Sequence, residues 1–145
     1  MGRIKFRIYS TEEEEMFLNE DIINIDFICN FATVETNLYK GFFDFGKDEE
    51  SIIMQFTGLF DDEGKEIYEG DIVEIQNTYE TKTSYISQVY LTHNGAIVDG
   101  HPAHVKMGHG EYRQLSEFCD YGCGGMYHVK CKIKGNIYQN PELLN

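Results

Sequence analysis

Apolar and polar side chains alternate one by one over short stretches of this chain, and a two-residue period marks strands with one buried face. Ile4, Phe6 and Ile8 interleave with Arg3, Lys5 and Arg7, which predicts a half-buried strand with its cations in water. Ile23, Ile25, Phe27 and Cys29 share one parity and Asn24, Asp26 and Ile28 the other, which predicts a second. Ile52 to Thr57 predicts a third, broken by Gly58. Val73 and Ile75 oppose Glu74 and Gln76 in a fourth, over Ile72 to Gln76. The last runs from Met126 to Lys134, with Tyr127, Val129, Cys131 and Ile133 on one face and His128, Lys130, Lys132 and Lys134 on the other. No helical period lasts longer than a turn or two.

Turn chemistry punctuates these strands. Thr11 to Glu15 is a charged, solvated turn. Asp61-Asp62-Glu63-Gly64 supplies side-chain acceptors and a permissive glycine, and Glu69-Gly70-Asp71 reverses the chain before the fourth strand. Asn94-Gly95 suits a two-residue type I′ hairpin, because both residues tolerate positive φ. Such a turn would pair His93 with Ala96 and Leu91 with Val98, putting Val89, Leu91 and Val98 inside and Tyr90, Thr92 and Ile97 outside. Near the end, Asn140 is placed to cap a short helical turn started by Pro141. Between Phe31 and Phe45 the chain is aromatic without a period, so Phe42, Phe43 and Phe45 are either core residues or contacts for another subunit.

The segment from Met54 to Ile75, MQFTGLFDDEGKEIYEGDIVEI, resembles the signature of the YopX-like proteins of bacteriophages and prophages. An opening MGRIKFR and a closing GNIYQNPELL before Asn145 extend the resemblance to both ends. It is weaker from Ser10 to Ser51 and from Gln76 to Arg113. The cysteines and histidines between Cys119 and Cys131 depart from the usual pattern of the family. The resemblance implies a phage or prophage protein, and that family has no established activity.

A Gly-Asp turn feeding a Val/Ile strand is common in SH3-like barrels. The expected fold is therefore mainly β with minimal helix: a small SH3-like barrel with additional N-terminal strands. Residues 1–53 would supply those strands and a variable aromatic loop packed on the barrel. Residues 54–145 would form the barrel-like domain, the whole being one compact unit. At 145 residues and 41% hydrophobic content the chain suffices for one core. Exposed strand edges invite aggregation, so barrel closure or pairing as a homo-oligomer is expected to cover them.

Charge narrows the choice of partner. Twenty-five acidic residues against twelve Lys and Arg give a net charge of −13, which repels phosphate backbones and anionic membranes. Direct nucleic-acid and membrane binding are not expected, and a host or phage protein is the expected partner. An acidic nucleic-acid mimic that inhibits a host DNA-binding enzyme is an alternative. No run of 18 apolar residues and no apolar signal core follow the N-terminus, so the expected location is the cytoplasm of a bacterial host cell.

Four cysteines in a reducing compartment argue for free thiols or a metal. Cys119, Cys123, His128 and Cys131 are the ligand types that zinc takes, and a zinc-containing protein built on them is a second alternative. The Cys-x3-Cys spacing departs from the usual Cys-x2-Cys knuckle, and strand parity sends His128 and Cys131 to opposite faces. The competing expectation is no cofactor, with Cys131 a small core residue. His101, His104 and His109 share a Gly-containing loop without a carboxylate at metalloenzyme spacing, so no enzymatic activity is expected. The Lys130, Lys132 and Lys134 row fits a solvated guard on an exposed strand. Contact residues are expected among Phe42, Phe43, Phe45 and Tyr90, large groups that a small fold can leave outside.

Overall fold

The structure is a computed structural model, and it describes residues 4–45, 51–77, 84–100, 111–119 and 129–145. The chain is mainly β with minimal helix, and every strand pair among the described residues is antiparallel. It divides into two compact units, Met1–Gln55 and Phe56–Asn145.

In the first unit, β1 (Phe6–Ser10) pairs with β2 (Glu15–Phe17) on one side and with the start of β6 (Ser51–Phe60) on the other. Flanked on both edges, β1 buries Arg7, Ile8, Tyr9 and Ser10, so the expected wet cationic face does not hold at Arg7. The Arg7 guanidinium lies against the Met54 sulfur, Nη2 to Sδ 3.7 Å. A second sheet runs β3 (Ile22–Asp26), β4 (Phe31–Glu35), β5 (Lys40–Asp44). Ile8, Phe17, Ala32, Val34 and Phe43 form the core of this unit, with Ile22, Ile25, Tyr39, Phe45 and Ile53 packed on it.

The expected parity of β3 is corrected by a bulge. The register against β4 shifts between Ile22 and Asn24, so Ile22 and Ile25 both reach the core while Ile23 turns to solvent. The strand also stops at Asp26, whose Oδ1 accepts the backbone N–H groups of Ile28 and Cys29, each at 2.9 Å. Asn30 follows at φ 57°. Phe27 to Asn30 are thus a turn held by an aspartate side chain, and Phe27 and Cys29 are exposed rather than inward.

The second unit contains the rest of β6 with β7 (Glu66–Tyr68), and two three-stranded sheets. One has the order β13 (Val129–Asn136), β8 (Asp71–Asn77), β9 (Ser84–Gln88). The other runs β10 (Tyr90–Thr92), β11 (Gly95–Asp99), β12 (Tyr112–Gln114). These antiparallel sheets include a curled half-barrel. A four-residue helix, α1 (Ser116–Cys119), precedes the last strand. The core gathers Ile67, Val73, Ile75, Val89, Ala96, Val98, Leu115 and Cys131.

Gly58 does not end its strand. It sits at φ 84° inside β6, where the register against β7 shifts between Phe56 and Phe60, and the strand continues to Phe60. The hairpin turn also lies one residue earlier than expected: His93 and Asn94 are its loop, and Thr92 pairs with Gly95, Leu91 with Ala96 and Tyr90 with Ile97. Thr92 explains the shift. Its Oγ1 donates to the Gly95 carbonyl at 2.9 Å and accepts the Asn94 N–H at 3.2 Å, while Gly95 takes φ 110°. Moving every partner by two positions preserves the faces, so Val89 and Val98 remain buried. Near the C-terminus Pro141–Leu144 forms the expected helical turn, but Asn140 does not cap it; its Oδ1 accepts the Asn136 N–H at 3.2 Å instead.

Candidate functional site

The most specific stretch of the sequence encodes turns and anchors. Asp61 is buried, and its Oδ1 accepts the N–H groups of Glu63 and Lys65, each at 2.9 Å. Its Oδ2 accepts the Ile133 N–H at 3.1 Å. Asp62 donates its own N–H to the Cys131 carbonyl at 2.9 Å and takes the Cys131 N–H on Oδ1 at 2.7 Å. The 61–64 turn therefore covers the edge of β13 that faces away from β8. Asp71, also buried, accepts the Tyr68 N–H at 2.8 Å and closes the Glu69-Gly70 reversal.

Beside this turn lies a charged groove of about 270 Å³ lined by Asp62, Glu63, Glu74, Gln76, Lys130, Lys132 and Lys134. Lys130 faces Gln76 and Lys132 faces Glu74 in the β13–β8 register. Lys132 nevertheless bonds Glu63 at 2.9 Å, Lys65 meets the other oxygen of that carboxylate at 3.3 Å, and Lys134 reaches Glu74 at 3.8 Å. Hydrogen bonds from Lys132 and Lys65 hold Glu63 below its ordinary pKa, and the bond to Glu63 lifts that of Lys132. Lys132 and Lys134 of the exposed lysine face are thus ion-paired by their neighbours.

A second groove, of about 500 Å³, lies in the first unit between Glu20, Asp21, Ile23, Glu35, Thr36 and Asn37. It adjoins the outward face of the β3–β4–β5 sheet, where Asn24, Thr33 and Phe42 stand opposite one another across the strands. Phe42 is 73% exposed and Ile23 57%. Phe43, one residue on, points inward at 7% exposure beside Phe17, ring centroids 5.2 Å apart. Phe43 is therefore a core residue, not a contact site, because consecutive strand residues face opposite ways. Phe45 is partly buried against the same core.

Tyr90 is partly buried on β10 and meets the Tyr112 ring edge-on at 6.0 Å. Burial, then the nearby Asp99 charge, raises the pKa of its phenol. The exposed tip at Phe27 and Ile28, the latter 94% exposed, was not among the expected contacts. Its signal was present in Asp26 and Asn30, residues that favour turns and bracket the tip.

Of the four zinc candidates, Cys119 and Cys131 come together. Cys131 is buried in the second core with Cys119 packed against it. Cys123 and His128 lie outside the described residues, as do His101, His104 and His109. Among the described residues no three His, Cys, Asp or Glu side chains converge as a metal site, and no helix is long and apolar enough to cross a membrane.

These features define an antiparallel, multi-sheet β protein whose most specific residues build turns and anchor strands. The model of the family described as YopX protein matches residues 5–145, and the chain belongs to the YopX family. The fold resembles the crystal structure of EF1440 from Enterococcus faecalis, at TM-score 0.61 and 23% identity over the full length of both chains. It also resembles the crystal structure of YopX from Bacillus subtilis, at TM-score 0.66 and 18% identity, over 97% of this chain and 98% of that one. At such identities the likeness concerns the fold. No curated protein matches the chain significantly.

Proposed function

We propose that this YopX-family chain is a non-enzymatic accessory protein of phage or prophage origin. It works in the bacterial cytoplasm by binding a host or phage protein, and it self-associates. In this reading its second unit behaves as an SH3-like small barrel and the first unit carries the contact surface. The observation that supports the reading is the outward face of the β3–β4–β5 sheet, where Phe42 and the bulged Ile23 are both more than half exposed. Large apolar groups left in water mark contact surfaces.

The test compares the intact chain with Phe42→Asp and Ile23→Asp by sedimentation and by capture from host lysate. The expected result is a smaller assembly, or loss of a captured protein, in both variants. Unchanged assembly and unchanged capture in both would overturn the reading.

A further inference from the structure

We propose that Cys119 and Cys131 are a redox pair that closes into a reversible intramolecular disulfide, tying the end of α1 to β13. The two are placed for it. Cys131 is buried on β13 among Val73, Ile75 and Leu115, and Cys119, at the last position of α1, packs against that same cluster while remaining partly accessible. The adjoining Cys119 side chain, and then burial, raise the Cys131 pKa above that of an ordinary thiol, so Cys131 ionises reluctantly.

The accessible thiol reacts first. Cys119, as thiolate, attacks one sulfur of a low-molecular-weight disulfide RSSR, forming a mixed disulfide and releasing RSH. Cys131 then gives up its proton and attacks the Cys119 sulfur, breaking the S–S bond to the RS group, which leaves with that proton as the second RSH. Two protein thiols are oxidised and one RSSR is reduced to two RSH, so electrons and protons balance. The bridge closes a loop from residue 119 to 131, which constrains the unfolded chain and holds β13 in place.

The experiment incubates the full chain with oxidised glutathione, blocks remaining thiols, and maps disulfides after trypsin digestion without reductant. Lys130 and Lys132 flank Cys131, so trypsin releases it as a dipeptide, whereas Cys119 and Cys123 share the peptide from Gln114 to Lys130. The expected product is the dipeptide joined to that peptide, with the mass of two hydrogens lost. Dithiothreitol should reverse it, and Cys119→Ser should abolish it. The oxidised chain should also need more urea to unfold than the reduced chain, a difference absent in Cys119→Ser. A lasting glutathione adduct on Cys119, a bridge within the Gln114 to Lys130 peptide, or a Cys131 linkage that survives Cys119→Ser would each overturn the proposal.

Discussion

Asp61 grips Ile133: the buried carboxylate Oδ2 accepts the Ile133 backbone N–H at 3.1 Å, across 72 positions of sequence. The same side chain closes its own turn through the N–H groups of Glu63 and Lys65. One carboxylate thus sets a local reversal and docks the last long strand. Its removal leaves three N–H groups without that acceptor, and unmet buried donors cost about 1–3 kcal/mol each where water cannot reach them. Asp61→Ala is expected to destabilise the chain by about 2–4 kcal/mol, measured by urea unfolding. Asp61→Asn, which keeps an acceptor oxygen, should cost less. Equal losses in the two variants would show that the carboxylate charge, rather than its acceptors, anchors β13.

Gly58 offers a separable test of backbone strain. A Cβ added there meets nothing within 4 Å, yet its φ of 84° lies where side chains are disfavoured. Gly58→Ala should therefore cost about 1–2 kcal/mol through conformation alone, and Gly58→Asn less, since Asn visits positive φ more readily. Unfolding midpoints of the two variants check the order.

The sequence was most legible where two-residue alternation runs unbroken. Val73 and Ile75 are buried, Glu74 and Gln76 are not, and β13 from Lys130 to Ile133 follows the same rule. It was least legible where an extra residue resets the period. The β3 bulge cannot be read from Ile-Ile-Asn-Ile-Asp, because only pairing with β4 decides which isoleucine is expelled. Asp61 and Asp62 were legible as turn formers, but their bonds to β13 depend on contacts between segments about 70 positions apart, which no local pattern records. The Cys119 and Cys131 juxtaposition was obscured too, because it depends on how α1 packs on the second core. The Cys119-x3-Cys123 spacing argued against a metal knuckle without saying that Cys119 packs against the cluster holding Cys131.

Phe42 and Phe43 should respond oppositely to truncation. Phe43→Ala removes a ring from the first core and is expected to cost about 3–5 kcal/mol. Phe42→Ser acts on a side chain exposed on the single chain, so in solution dilute enough to dissociate an assembly its effect, measured by urea unfolding, should stay within about 0.5 kcal/mol. At higher protein concentration the loss should grow, because self-association through that face covers the ring. A large loss already present in dilute solution would mean that Phe42 contributes to folding rather than to assembly.

Glu63 ties the signature turn to β13 through charge, so its contribution should follow pH. Bonds from Lys132 and Lys65 lower its pKa below the ordinary 4.5, which means the folded state binds this proton less readily than the unfolded chain. The stabilisation is therefore in full force above pH 4.5 and is lost as pH falls through the lowered folded value. Lys132 supplies the opposite limb: its pKa is raised above 10.5, so its share is complete below that value and is lost as pH rises through the folded one. Both side chains are close to half exposed, so water and salt weaken the pair and the effect should be small. Urea midpoints of the intact chain and Glu63→Gln, taken from pH 2.5 to pH 8 at about 0.05 M and 0.5 M salt, should differ above pH 4.5 at low salt and converge in acid. A gap that persists in acid would assign the role of Glu63 to packing rather than to charge.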